Sequence, residues 1–312
     1  MSVYTLAAVG ERALRFLHGG KTASVMGLTS RGVFCITPDA HVFFLSYETW
    51  RGPLTANLQL DLHDSRQDRY VRIEQCCHPQ PFDRLYHGST AKLYPDRILF
   101  EAENISIHSG GVSAWEAAVR PVNENALADV RKRLANTARI VLEGGRGKGW
   151  IELLPRWVGL ETQAVNAEEL KEVEKDLQHL ADGLHAENGA EFILRTAPLL
   201  GRGTGLTPSG DDFVIGLALG LRARSEKSAL FRVVEEQSAR LFQAARQKTT
   251  TLAANLIICA LEGQADERLV SALDGILWGS LPEADCARYL LDYGSSSGGD
   301  TLLGIAMALF QG

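Results

Sequence analysis

The hydrophobic pattern of this chain changes period once, between about residues 110 and 125, and that switch restricts the fold more than any other feature. Before it, short runs rich in β-branched and aromatic residues recur: Ala23–Leu28, Gly32–Thr37, His41–Ser46, Asn57–Leu62, Tyr70–Gln75, Ala91–Tyr94 and Ile98–Ala102. Turn pairs such as Pro38-Asp39, Gly52-Pro53 and Pro95-Asp96 separate them, the punctuation of a compact β fold. Ahead of these runs, Leu6, Val9, Ala13, Leu14 and Leu17 fall on one helical face closed by Gly19-Gly20, which predicts an N-terminal helix.

After the switch the spacing is helical. Ala126–Leu142 predicts one helix and Ala167–Leu184 a second, with Asn166 as its N-cap and Glu169 three residues on. Further helices are expected over about 189–199, 209–224, 227–246, 250–262, 266–278, 283–291 and 298–310. Strands grouped first and helices grouped second predict an α+β chain rather than βαβ alternation. The expected domains are a β-rich, barrel- or sandwich-like unit over 1–120, carrying the N-terminal helix, and an all-helical unit over 121–312.

With 312 residues, 45% of them hydrophobic, the chain is long enough for a sizeable core. A net charge of −6 implies no basic face for nucleic acid. The longest apolar run, Phe213–Leu221, is too short for a membrane span. Five cysteines, two of them the adjacent Cys76 and Cys77, fit a reducing compartment better than a disulfide scaffold. Glu11, Arg12 and Arg15 interrupt any signal-like stretch, so a cytoplasmic location is expected.

Chemistry concentrates in an internal echo. Ser209-Gly-Asp-Asp-Phe-Val-Ile-Gly-Leu-Ala-Leu219 aligns with Ser297-Gly-Gly-Asp-Thr-Leu-Leu-Gly-Ile-Ala-Met307, sharing Ser, Gly, Asp, Gly and Ala at equal offsets. Each copy taken alone reads as a Ser-x-x-Asp cap, with Ser209 and Ser297 capping and Asp212 and Asp300 reaching back. Capping, however, requires neither a first-turn glycine, which costs about 1 kcal/mol relative to Ala, nor the preceding Gly201-Arg-Gly-Thr-Gly205. Glycine is favoured where backbone must approach a ligand. Two helix starts are therefore expected to converge on one small anion, with Asp211, Asp212 and Asp300 orienting it or holding a divalent ion.

At these residues the sequence resembles a known family. Gly205-Leu-Thr-Pro-Ser-Gly-Asp-Asp-Phe213 is similar to the signature of proteins typified by the AllH subunit of oxamate carbamoyltransferase. Lys248-Thr-Thr-Thr251, Ser296-Ser-Gly-Gly-Asp-Thr-Leu302 and Gly52-Pro53 support the resemblance, although Gly299 stands where an aromatic is expected. The resemblance implies a subunit of an enzyme that interconverts oxalurate plus phosphate with oxamate plus carbamoyl phosphate in purine (allantoin) breakdown, working with other carbamoyltransferase subunits.

On that reading Asp211, Asp212 and Asp300 are the candidate catalytic residues. Arg202, Gly205, Thr207, Ser209, Gly210, Lys248, Thr249, Ser297 and Gly298 are candidates to bind substrate or anion, with Arg246 a further charge partner. No cofactor is implied. The rival enzyme reading, a hydrolase of ADP-ribosyl-hydrolase type, would instead place magnesium on the three aspartates. A third reading is a non-catalytic scaffold whose glycines serve helix packing. Glu143-Gly-Gly-Arg-Gly-Lys-Gly149 lacks the Lys-Ser/Thr of a P-loop, and Cys76-Cys-His78 has no second Cys/His pair for zinc. Trp50 and Trp115 read as core or interface residues.

Overall fold

The computed structural model describes residues 1–19, 21–59, 82–116, 118–122, 126–144, 149–161, 167–187 and 189–310. The chain divides into two compact units, Met1–Ala117 and Ala118–Gly312.

The first unit is a β-barrel. Its strands are β1 (Ser2–Gly10), β2 (Thr22–Thr29), β3 (Gly32–Ile36), β4 (Val42–Ser46), β5 (Thr55–Leu58), β6 (Thr90–Tyr94), β7 (Arg97–Phe100), β8 (Ile105–His108) and β9 (Ala114–Trp115). They pair in the order β5-β4-β3-β2-β6-β7-β8-β1-β9, and β5 also pairs with β1, which closes the first eight into a ring. Most neighbours are antiparallel; β1–β8, β1–β9 and β4–β5 are parallel. Alternation decides which side chains fill the interior: Val33 and Cys35, Phe43 and Leu45, Ala91 and Leu93, Ile98 and Phe100, and Ile105 and Ile107 all belong to one buried cluster. Pro95-Asp96 forms the two-residue link of the β6–β7 hairpin, where Tyr94 pairs with Arg97.

The expected N-terminal helix is corrected here. Leu6 and Val9 lie in β1, and the helix α1 is only Glu11–His18, burying Ala13 and Leu17. A spacing of three puts Leu6 and Val9 on one helical face but on opposite faces of a regular strand; a register irregularity between Leu6 and Ala8 lets both be buried, and pairing of β1 with both β5 and β8 selects the strand. Tyr70–Gln75 and Cys76-Cys-His78 lie outside the described residues, as does the second half of Asn57–Leu62.

The second unit is helical: α2 (Leu127–Gly144), α3 (Leu154–Trp157), α4 (Glu168–His185), α5 (Gly189–Thr196), α6 (Ser209–Arg222), α7 (Ala229–Lys248), α8 (Thr251–Leu261), α9 (Glu267–Trp278), α10 (Glu283–Leu291) and α11 (Ser297–Phe310). A 3-10 turn, Trp150–Leu153, leads into α3. The N-cap position of α4 is Ala167, and Asn166 lies outside the described residues. Helices α6 and α11 are buried on nearly all sides, as expected for helices apolar all round. No helix among the described residues is long and apolar enough to cross a membrane.

Candidate functional site

The two copies of the echo are α6 and α11, and they pack directly on each other. A Cβ on Gly216 would lie 1.9 Å from the Thr301 carbonyl oxygen, and a Cβ on Gly304 would lie 2.1 Å from the Phe213 carbonyl oxygen. Thr301 and Phe213 are themselves equivalent positions of the echo, so the contact is reciprocal. Backbone meets backbone because neither glycine carries a side chain. The first-turn glycines behave alike: a Cβ on Gly210 would strike the Leu199 carbonyl at 2.0 Å, and one on Gly298 the Leu290 carbonyl at 1.8 Å. Packing against the preceding segment is enough to require glycine at both positions.

The hydroxyls cross between the helices. Ser209, at the start of α6, lies close enough to the Asp300 carboxyl on α11 to hold its pKa down, while Ser297, at the start of α11, does the same for Asp212 on α6. The capping-box expectation is thereby overturned for α6: its N-cap is Pro208, which offers no side-chain acceptor. Thr207 donates to Asp212 Oδ2 at 3.3 Å and sits 3.4 Å from the Ser297 hydroxyl oxygen. Asp300 Oδ1 accepts from the Ile151 amide at 3.1 Å. A Cβ on Gly149 would lie within 2.8 Å of both Asp300 carboxyl oxygens, so that glycine lets the chain pass close to the carboxyl.

Asp211, Asp212 and Asp300 are fully buried, and burial raises the pKa of each. For Asp300 the value reaches about 6, with the Ser209 hydroxyl and the Ile151 and Trp150 amides pulling it down. Asp212 is pushed well above the ordinary value by burial, with the charge of Asp300 adding to the rise and Ser297 opposing it. Asp212 Oδ1 and Asp300 Oδ2 are buried without a hydrogen-bond partner among the described residues. Asp211 differs: its Oδ1 accepts from the Gly201 amide at 2.9 Å and its Oδ2 from the Thr249 hydroxyl. That carboxyl ties the Gly-rich loop to the α7–α8 junction.

Residues 199–309 match the family model of oxamate carbamoyltransferase subunit AllH. The AllH match starts just ahead of the Gly-rich loop and ends within α11, so both copies of the echo lie inside it. No curated protein and no solved structure matches the chain.

Within the AllH-like stretch the other expected site residues separate into two groups. Thr207, Ser209, Gly210, Ser297 and Gly298 gather at the helix starts. Arg202 pairs with Asp176 and stacks its guanidinium near Trp150. Lys248 donates to the Ala197 carbonyl at 3.2 Å, Arg246 lies over Phe242, and Gly205 is on an exposed turn. No three His, Cys, Asp or Glu side chains among the described residues form a group able to hold a metal ion.

Several contributors were missed in the sequence. The Trp150-Ile151 amides and Gly149 had no motif to announce them, and their role follows only from packing against Asp300. Ile151 also fills the space above Gly299, with a Cδ1 distance of 2.5 Å to a Cβ built there, which accounts for the missing aromatic. A shallow pocket beside the α11 start is lined by Ile151, Leu290, Gly294, Ser296, Gly298 and Gly299, among others.

The first-turn amides are partly used. Gly210 donates to the Arg202 carbonyl, Asp211 and Asp212 to that of Pro208, and Gly299 and Asp300 to that of Ser296. Ser209, Ser297 and Gly298 are left as the amides that the two helix starts can offer a ligand.

Proposed function

We propose that this chain is a subunit of a carbamoyltransferase that interconverts oxalurate plus phosphate with oxamate plus carbamoyl phosphate, in purine (allantoin) catabolism and together with partner subunits. The observation that supports it is the coincidence of the AllH match with the α6–α11 crossing and its exchanged Ser–Asp pairs.

In the direction of oxalurate synthesis, the amide nitrogen of oxamate attacks the carbamoyl carbon. A C–N bond forms, the C–O bond to phosphate breaks, and its electron pair leaves with phosphate while the nitrogen gives up one proton. Charge builds on the carbamoyl oxygen during attack, and fixed N–H donors stabilise it. Helix-start amides at Ser209, Ser297 and Gly298 are of the kind required. Asp212 and Asp300 sit behind the serine hydroxyls and set their direction; with pKa values raised toward neutrality they suit transient proton storage. This reading needs no protein nucleophile.

The test is phosphate release from carbamoyl phosphate in the presence of oxamate, by the purified chain alone and with candidate partner subunits. Turnover that requires this chain supports the reading. Absence of turnover in every combination, together with no binding of oxamate or carbamoyl phosphate, rejects it.

A further inference from the structure

We infer that Gly203–Leu206 is a strap that rests on the first turn of α6 and lifts away from it, held shut by one hydrogen bond from Thr250. The lifting follows from the loop's own contacts; its bearing on substrate entry rests on the carbamoyltransferase reading.

The strap is fixed at both ends and loose between them. Upstream, the Asp211 carboxyl holds the Gly201 amide, Asp176 holds the Arg202 guanidinium, and the Arg202 carbonyl accepts from the Gly210 amide at 2.9 Å. Downstream, Thr207 is tied to Asp212, and Pro208 is buried at the N-cap of α6, where its ring fixes φ. Gly203, Thr204, Gly205 and Leu206 are all exposed. The first three make no hydrogen bond among the described residues. Leu206 makes one, its carbonyl accepting from the Thr250 hydroxyl at 2.6 Å. Gly203 and Gly205 take φ of +113° and +99°, and no Cβ hinders rotation at either.

What the strap covers is the start of α6. A Cβ built on Gly203 would lie 2.8 Å from the Ser209 amide nitrogen and 3.5 Å from its hydroxyl oxygen. No ligand atom fits between strap and Ser209 while the strap is down. Leu206 is 54% exposed, so the closed position gains little from burial.

The start of α11 is built differently. Gly294 rests on Ser297 in the same way, with a Cβ 3.1 Å from its hydroxyl oxygen. Its loop, however, is held by the buried Arg268, which donates to the Asp292 carbonyl at 3.0 Å and lies over the Tyr293 ring. A buried guanidinium secures one loop and a hydroxyl at the surface the other, so opening belongs to the α6 side.

The test is residue-resolved amide hydrogen exchange on the full chain. Thr250 also caps α8, its hydroxyl oxygen accepting from the Ala253 amide at 3.0 Å. Thr250→Asp keeps that acceptor and removes the donor to Leu206, whereas Thr250→Ser keeps both. Exchange at the Ser209 amide should rise about fivefold in Thr250→Asp, the loss of one hydrogen bond, and stay at the wild-type rate in Thr250→Ser. Gly203→Ala puts a methyl against the Ser209 nitrogen at positive φ, and exchange there should rise about tenfold. Unchanged exchange at Ala253 shows that the α8 cap survives. Carbamoyl phosphate should bind Gly203→Ala about tenfold more tightly than wild type, by calorimetry on the chain assembled with its partner subunits, because more of the protein is open.

Ser209 exchange that matches wild type in Thr250→Asp and Gly203→Ala, or that rises equally in Thr250→Ser, overturns the strap. Unchanged or weaker carbamoyl phosphate binding by Gly203→Ala overturns its part in entry. Faster exchange with no ligand bound in any state leaves the strap standing and removes the transferase reading. Ligand binding with unchanged exchange does the reverse.

Discussion

The Ser209 hydroxyl acts on the Asp300 carboxyl of the neighbouring helix, holding its pKa down, although Asp212 lies three residues along its own. Ser297 does the same for Asp212, so each helix start bears on the carboxyl of the other. Removing one hydroxyl therefore acts on the opposite helix.

The pH dependence of stability should report Asp300. Its folded pKa, about 6, lies above the usual carboxyl value of 3.8, so between the two the folded state holds a proton that the unfolded state has released. Stability from this group is full below the unfolded value and is lost as pH rises through about 6. The loss is on the order of 2–3 kcal/mol for a buried group shifted this far. Urea unfolding of wild type and Asp300→Asn between pH 4 and pH 8 should show the wild type losing ground steadily to the variant. A difference that does not change with pH contradicts this assignment.

Gly216→Ala and Gly304→Ala should each destabilise the helical unit by about 1–3 kcal/mol or more, because the new methyl meets a carbonyl oxygen that belongs to helix backbone. Since the contact is reciprocal, the two losses should be similar. Chemical denaturation of both variants measures them, and a wild-type midpoint for either one would contradict the close crossing.

Asp211→Ala should act through the loop. It leaves the Gly201 amide and the Thr249 hydroxyl without their acceptor, at a cost of about 1–3 kcal/mol. Limited proteolysis should then cut faster within residues 201–206, and unchanged cleavage would show that the carboxyl does not hold the loop.

The buried pair Arg268–Asp266 supports the segment that leads into α11. Arg268 donates twice to Asp266 and once, at 3.0 Å, to the Asp292 carbonyl, and lies over the Tyr293 ring. Asp266→Ala should cost about 3–5 kcal/mol by removing the carboxylate partner of a buried guanidinium. Arg202→Ala, which breaks a partly exposed pair with Asp176, should cost no more than about 1 kcal/mol. Thermal melts of the two variants decide whether the order holds.

Much of this architecture was legible in residue order. Inward alternation in runs such as Ala91–Tyr94 and Ile98–Ala102 marked a β unit, and Pro38-Asp39 and Pro95-Asp96 placed two hairpins, while Gly52-Pro53 precedes the parallel pairing of β5 with β4. Closure into a ring was not legible, because it depends on Leu6 of β1 meeting Leu58 of β5, with three other strands between them in sequence. Leu6–Val9 misread for a related reason: a spacing of three suits a helix, and the irregularity between Leu6 and Ala8 that fits it to a strand arises in pairing with β5. The repeated Ser, Gly and Asp pointed to two helices that pack directly on each other. Their partners did not follow, since a Ser-x-x-Asp spacing describes contacts within one helix while the serine hydroxyls reach across to the other. Arg202 and Lys248 looked like anion ligands beside a Gly-rich loop, but a side chain's direction is set by packing, which local sequence does not encode.

The reciprocal crossing also sets an order of events during synthesis. Helix α6 leaves the ribosome with α7 through α10 still to be made before α11 appears. Until then Gly216 lacks the Thr301 carbonyl that it packs against. Both aspartates are buried with the two helices packed together, so the raised proton affinities of their carboxyls belong to the assembled pair and to neither helix alone.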